Sequence, residues 1–314
     1  MRLGLGTAAL GRPQYINVRQ KNSDTSNLET FRKHSFSVLE EAYHLGIRYF
    51  DTAPGYGLAE ELLLEWLQTK DDKTIEVATK WGYTYTANFE INATVHEVKE
   101  HSLSKLKEQW NFSKQLLPYL KVYQIHSATI ETGVLENRAV LEQLAFLKKK
   151  YHLKIGLTTT GTNQISVIKK ALDVSVDGEQ LFDLFQVTYN FLEQSLQEIS
   201  AELILQNKSI VIKEAMANGR IFRNEKYPHY AEMYSVLENL SEKYNVGLDA
   251  ISLKYCEQTI ANSLVLSGAS NSKQLKENLK MNSFSLTNED IKNLNSVKTS
   301  PELYWSERKQ LQWN

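Results

Sequence analysis

One cysteine, Cys256, is the whole thiol content of this 314-residue chain, which excludes an intramolecular disulfide and any cysteine-built zinc site. Charge of one sign is equally scarce. The 36 basic residues stand against 37 acidic ones, a formal net charge of −1, so the chain carries no broad electrostatic footprint for nucleic acid or an anionic membrane. No apolar run approaches the roughly 20 residues that span a bilayer. The start, Met1-Arg2-Leu3-Gly4, has neither the apolar run nor the small-residue cleavage site of a secretory signal, and a soluble cytoplasmic protein is expected. Low-complexity linkers are missing too, so one domain over residues 1–314 is expected. Also missing after the first strand-like segment is the glycine-rich fingerprint of a doubly wound dinucleotide fold, which weakens an open sheet as the competing architecture. Cys256 itself falls in an apolar helical pattern and reads as a buried structural thiol.

What the chain does have is regular alternation. Short β-rich runs recur at Leu3–Ala8, Ile47–Ala53, Ile75–Trp81, Leu120–His126, Leu153–Thr158, Asp183–Tyr189, Ser209–Ala215 and Ser263–Ala269. Several are near-continuously apolar, as strands covered on both faces are. Between them lie helical patterns. Ser35–Leu45 puts Val38, Leu39, Ala42 and Leu45 on one side and stops at Gly46, and Glu136–Lys149 ends in a lysine run. Leu192, Leu196, Ile199 and Leu203 form an apolar stripe, and Thr287 with Asp290 resembles a capped helix start. Eight strands alternating with helices predict a parallel α/β fold closed into a single (β/α)8 TIM barrel.

Three segments exceed what such connections need: Gly11–Phe31, Gly82–Ala93 and the tail Lys298–Asn314. The first two emerge at the C-terminal rim, where barrels bind their ligands. Their aromatics (Tyr15, Tyr83, Tyr85, Phe89), with Tyr304, Trp305 and Trp313 of the tail, read either as a pocket wall or as anchors for long loops.

Polar residues that are rare inside apolar strands end three consecutive ones. Strand two ends in Asp51-Thr52-Ala53 followed by Pro54-Gly55-Tyr56-Gly57, strand three in Thr79-Lys80-Trp81, and strand four in Gln124-Ile125-His126. Each alone has an ordinary explanation as a cap, a snorkelling lysine or a core histidine. Neighbouring parallel strands place them side by side, and together they make an acid catalyst. A buried Lys80 needs a partner, which Asp51 supplies. Its ammonium is expected to lower the phenol of Tyr56 from an ordinary pKa of about 10. Tyr56 then protonates a carbonyl oxygen, with His126 as hydrogen-bond partner or proton assistant. Tyr56, His126 and Trp81, the last by its position beside Lys80, are the expected substrate contacts.

These motifs resemble those of the aldo-keto reductase family. The resemblance runs from Gly4-Leu5-Gly6-Thr7 to Glu277-Asn278 and places the family's catalytic tetrad on Asp51, Tyr56, Lys80 and His126. It implies an NAD(P)(H)-dependent oxidoreductase that reduces an aldehyde or ketone, or oxidises an alcohol or sugar, by hydride transfer. It implies a small-molecule carbonyl or alcohol partner and a monomer. The cofactor positions it carries over are Gly6, Thr7, Ala8 and Asp51 near the nicotinamide, with Thr158 and Gln186 for the carboxamide. Ala215, Met216, Asn218 and Gly219 follow the pyrophosphate, and Gly268, Ala269, Ser270, Gln274, Glu277 and Asn278 hold the adenosine end.

The chain departs from the family's pattern in three places. Gly156-Leu157-Thr158-Thr159 replaces a Gly-Val-Ser-Asn run, and Lys213 stands where an aromatic or arginine is usual beside the nicotinamide. Gly268 and Gln274 occupy the positions of the usual 2′-phosphate clamp, and glutamine lacks arginine's bidentate fork, although Lys273 is adjacent. NADPH is the first expectation by resemblance, with NADH as the alternative. A cofactor-binding sensor or interaction subunit of the same fold is the competing function. A metal-dependent barrel enzyme is a third, disfavoured because His34, His44, His96, His101, His152 and His229 form no recognisable ligand set.

Overall fold

The computed structural model describes residues 2–12, 28–90 and 93–312. Eight parallel strands close on themselves: β1 (Leu3–Gly6), β2 (Tyr49–Asp51), β3 (Glu76–Trp81), β4 (Leu120–Ala128), β5 (Lys154–Thr159), β6 (Leu184–Thr188), β7 (Ser209–Lys213) and β8 (Leu264–Ser267). Their order around the barrel is that of the chain, and the pairing of Leu3 with Val265 closes the ring. The (β/α)8 expectation therefore holds, and the open sheet is excluded.

The period of two along each strand sorts its side chains into two layers. Tyr49, Ala78, Val122, Leu184, Val211 and Leu266 pack into a small cluster inside the barrel. Phe50, Val77, Tyr123, Leu157, Phe185, Ile212 and Val265 belong to the large outer core beneath the helices. The interior is tight: a Cβ on Gly4 would fall 2.9 Å from the Tyr49 ring. One step further up each strand the same inward column carries Asp51, Lys80, Gln124, Thr158, Gln186 and Lys213. The apolar floor thus ends where the polar layer begins.

Several helical boundaries differ from their sequence patterns for local reasons. The stripe from Leu192 to Leu203 is buried throughout, yet the helix starts only at Gln197. Upstream, the Asn190 side-chain oxygen takes the N–H groups of Leu192 and Glu193 and holds a turn. Strand β7 stops at Lys213, two residues early, because Glu214 adopts φ +56°, outside the extended region. Thr287 and Asp290 do form a reciprocal capping box. Cys256 is fully buried and donates to the Tyr189 carbonyl at 3.4 Å, and burial raises its thiol pKa.

The long segments are structured where they are described. Tyr83–Tyr85 pairs antiparallel with Glu97–Lys99 as a hairpin on the rim, and Pro301–Gln310 is a helix. Tyr304 and Trp305 are buried anchors. Tyr15, most of the loop after β1 and Trp313 lie outside the described residues. Among the described residues, no helix is long and apolar enough to cross a membrane.

Candidate active site

Asp51 is the hub of the polar layer. Lys80 Nζ donates to its Oδ2 at 2.5 Å and to the Thr52 carbonyl at 2.9 Å, with the lysine fully buried. Gln186 Nε2 donates to the other carboxylate oxygen at 2.8 Å, and Gln124 Nε2 stands 3.5 Å from it. Burying such a pair is costly unless the remaining lone pairs are satisfied, which these two amides accomplish.

Tyr56 enters from the short turn Pro54–Tyr56 directly after β2. Two backbone constraints aim it. Gly57 has φ +65°, and a Cβ on Gly11 would fall 1.9 Å from the Tyr56 carbonyl oxygen, so no larger residue fits there. Leu58 N–H donates to the Gly11 carbonyl at 2.8 Å and locks the two segments together. The Tyr56 ring then lies 4.7 Å from Lys80 Nζ and edge-on to the His126 ring, 5.5 Å away at 89°.

The electrostatics differ from the simple expectation. The Tyr56 phenol pKa is raised well above its ordinary value, first by burial and then by the Asp51 carboxylate, with the Arg12 guanidinium opposing both. The expected lowering by Lys80 does not prevail, because its ammonium is already matched by Asp51 at 2.5 Å. A phenol in this state keeps its proton and can give it up only to a strongly developing oxyanion. His126 is driven well below its usual range by burial and then by the positive charges of Lys80, Lys213, Arg12 and His101. It is a neutral imidazole, packed also against Tyr83 at 4.7 Å.

Behind Lys80, on the outer face of β3, lies a second buried carboxylate. Glu60 accepts from Thr79 Oγ1 at 2.5 Å and Ser113 Oγ at 2.9 Å, and burial pushes its pKa up to about 7.

One cleft collects most of the expected positions. Tyr56, His126 and Asp51 line it, as do Gly6, Ala8, Thr158, Gln186 and Lys213. So do Ala215, Met216, Asn218 and Gly219 after β7, and Gly268, Ala269, Gln274 and Asn278 after β8. Three expected cofactor positions do not line it. Thr7 is buried and donates to the Asp51 carbonyl, Ser270 faces His34 and Gln274, and Glu277 pairs with Lys280. Trp81 also fails to reach the cleft. It follows Lys80 on one strand, so period two sends it outward into the core against His101, with no surface exposed.

The wall of the cleft was not anticipated. Arg12, Glu97, Glu214 and Arg308 line it, with Ser127, Thr160, Phe222 and Asp249. Arg12 pairs with Glu97 at 3.0 Å, and Arg308 grips Glu214 at 3.1 Å. Burial would raise the Glu214 carboxyl, but Arg308 and Lys213 hold it at about 2. The rim aromatics mostly serve as anchors for this charged wall. Trp305 donates to Glu193 at 2.8 Å, and buried Arg220 pairs with Glu307 with its guanidinium 4.1 Å over the Tyr304 ring.

The residues along the cleft suit an extended nicotinamide dinucleotide. The amides of Gln186, Asn218, Gln274 and Asn278 and the hydroxyl of Thr158 form a mostly uncharged donor and acceptor set. The helix Ser272–Leu279, capped by Asn271, points its N-terminus at the loop after β8.

Comparison with known proteins agrees with this fold. The aldo/keto reductase family model matches residues 2–299. The uncharacterised oxidoreductase YqkF of Bacillus subtilis is 26% identical over 318 residues, covering 93% of this chain and 96% of that protein. The NADH-specific methylglyoxal reductase of Escherichia coli is 23% identical, with 92% of each chain covered. Among solved structures, a holo-form aldo-keto reductase from Bacillus halodurans superposes with a TM-score of 0.69 at 21% identity, covering 95% of this chain and 92% of that one. A glycerol dehydrogenase from Gluconobacter oxydans gives 0.70 at 20%, covering 94% and 90%.

Proposed function

The chain belongs to the aldo/keto reductase family, and we propose that it reduces an aldehyde or ketone, or runs the reverse oxidation, with Tyr56 as the proton donor. One observation carries this reading: Tyr56, His126 and the Lys80–Asp51 pair converge at a single end of the barrel, beside a cleft of dinucleotide-binding character. A bound reduced nicotinamide would supply the hydride. The protein's own part is proton handling and placement. Tyr56 holds its proton and delivers it to the carbonyl oxygen as negative charge develops there. Neutral His126 donates a hydrogen bond to the same oxygen and stabilises that charge. Lys80, fixed by Asp51, keeps a cation beneath the phenol ring, and Gln186 and Gln124 keep Asp51 in place.

On the choice of cofactor, the adenosine end favours NADH over the NADPH expected by resemblance. Asp249 lines that end and accepts from Asn278 Nδ2 at 2.6 Å. A carboxylate accepts a ribose hydroxyl and repels a 2′-phosphate. Gln274 is tied to the Ser270 N–H at 2.8 Å, and Lys273 is exposed and does not line the cleft.

Titration of cofactor fluorescence with both nucleotides, followed by an aldehyde and sugar screen, tests these points. NADH should bind at least about tenfold more tightly than NADPH, a difference of about 1.4 kcal/mol. Tyr56→Phe should abolish turnover while cofactor binding persists. Undiminished turnover in Tyr56→Phe would refute the donor assignment, and wild-type binding with no turnover on any carbonyl would support the sensor alternative.

A further inference from the structure

Arg12 is the buried cation that the tetrad does not explain. Its side chain is 3% exposed, its NH1 donates to the Gly55 carbonyl at 2.8 Å and to Glu97 Oε2 at 3.0 Å, and its guanidinium carbon lies 5.7 Å from the Tyr56 ring centroid. Three segments meet at this one side chain: the end of the helix turn after β1, the turn that carries Tyr56, and the rim hairpin that carries Glu97. Burying a guanidinium beside a phenol also changes the cost of forming a phenolate there.

We propose that Arg12 is a positioning residue for Tyr56, whose guanidinium stabilises negative charge on the phenol oxygen while Glu97 opposes it. The proposal rests on Tyr56 being the proton donor. The charged and titratable groups around Tyr56 and Arg12 are Asp51 from β2, Lys80 from β3, His126 from β4, Lys213 and Glu214 from the end of β7, Arg308 from the helix Pro301–Gln310, and Tyr83, Tyr85 and Glu97 from the hairpin, with His96 beside it. Lys80 is matched by Asp51 and Glu214 by Arg308, and His126 is neutral. Asp51 and Glu214 nevertheless raise the phenol pKa, as Glu97 does, and Arg12 lowers it, so the two partners of the Arg12–Glu97 ion pair act on Tyr56 with opposite signs.

That opposition separates an electrostatic role from a merely structural one. Arg12 braces the Gly55 carbonyl as well as Glu97, so as structural elements the loss of either partner should lower turnover. As charges they should act in reverse. The experiment is the pH profile of kcat/KM for carbonyl reduction in wild type, Arg12→Met, Arg12→Lys, Glu97→Gln and Tyr56→Phe, from pH 6 to 11. The alkaline fall in rate marks loss of the donor's proton. Without the Arg12 cation the phenolate is disfavoured and Tyr56 is a weaker acid, so kcat/KM at pH 7 should fall and the rate should hold to the alkaline end; without the Glu97 anion Tyr56 is a stronger acid, so kcat/KM should rise and the alkaline fall should come into range. Each displacement of the phenol is expected to be about one pH unit, from a unit charge at this range in a partly screened site. Arg12→Lys, which keeps the charge, should stay near wild type, and it guards against an Arg12→Met protein that folds poorly. Displacement of Arg12→Met and Glu97→Gln in the same direction, or of neither, overturns the role of Arg12 and leaves Tyr56 as donor. If turnover and its alkaline fall survive in Tyr56→Phe, the donor assignment fails, and this proposal with it.

Discussion

Asp51, Lys80 and Gln186 hang from barrel strands whose hydrogen-bond registers leave little freedom of placement, with His126 at the register shift near the end of β4, whereas Arg12, Glu97, Glu214 and Arg308 reach the cleft from loops, the rim hairpin and the helix Pro301–Gln310. The first group forms the floor beneath Tyr56, the proposed proton donor. The second forms a wall held by ion pairs between segments distant in sequence, 85 residues apart for Arg12 and Glu97 and 94 for Arg308 and Glu214. A floor of this kind tolerates little change, because Lys80, Gln186 and Gln124 converge on the one buried carboxylate of Asp51. A wall of paired charges can be altered one pair at a time, which leaves substrate choice open to variation while the chemistry stays put.

The largest expected effect is therefore on the floor. Lys80→Met removes the cation under Tyr56 and leaves the Asp51 carboxylate buried with only amide donors. Turnover should fall by about 10²–10⁴-fold, and stability by about 3–5 kcal/mol, the usual cost of breaking a buried pair on one side. Steady-state rates and denaturant unfolding read the two losses separately. A variant that keeps full stability would mean that the amides suffice for Asp51, and the floor would be less interdependent than described.

Next comes the carboxylate just outside the floor. Glu60 has a folded-state pKa raised from 4.5 to about 7 by burial. The protonated form is the one the fold prefers, so the stability linked to this group is fully present below pH 4.5 and is lost as pH rises through 7. The span corresponds to about 3 kcal/mol. Glu60→Gln should keep the two hydroxyl partners and flatten this part of the stability–pH curve. Unfolding midpoints measured every half unit between pH 4 and 8 check it; an unchanged slope in the variant would place the dependence elsewhere.

The difference between floor and wall also explains what could be read in the sequence. The barrel was legible because eight apolar strands at regular spacing admit few other closures. Asp51, Tyr56, Lys80 and His126 were legible because polar residues at the ends of apolar strands are conspicuous. The misplaced Trp81 shows the limit of reading by adjacency: alternation along β3 puts a residue next to Lys80 on the opposite face, and the same alternation was available from Val77 to Trp81. Arg12 and Arg308 gave no such signal. An arginine after a strand or in the last turn of a helix looks like any solvated arginine until the fold supplies its carboxylate, and neither Glu97 nor Glu214 is marked as that partner by spacing. Glu60 was similarly hidden, since a glutamate in the first turn of a helix is ordinarily an exposed complement to the helix dipole.

The smallest effect belongs to the wall, and it tests whether the wall selects substrate. Arg308→Met removes the grip on Glu214 but leaves the terminal helix held by Trp305 on Glu193 and by Arg220 on Glu307. The Glu214 carboxyl, held at about 2 chiefly by Arg308 and Lys213, with a smaller part from Arg220, loses the strongest of these cations. Its pKa should rise, and a bond with Lys213, now 3.9 Å away, should tighten. The stability cost should be about 1–2 kcal/mol, because Lys213 compensates part of the lost pairing. Since Arg308 lines the cleft and pairs with Glu214, its loss should change KM for the carbonyl substrate several-fold and kcat by less than about twofold, the pattern of an interaction made equally in the ground and transition states. The comparison is sharpened by running charged and neutral carbonyls in parallel. A shift confined to the charged ones identifies Arg308 as a selector, and equal shifts for both reduce it to a brace for the helix. A fall in kcat matching that of Lys80→Met would erase the distinction, because wall and floor would then act as one unit.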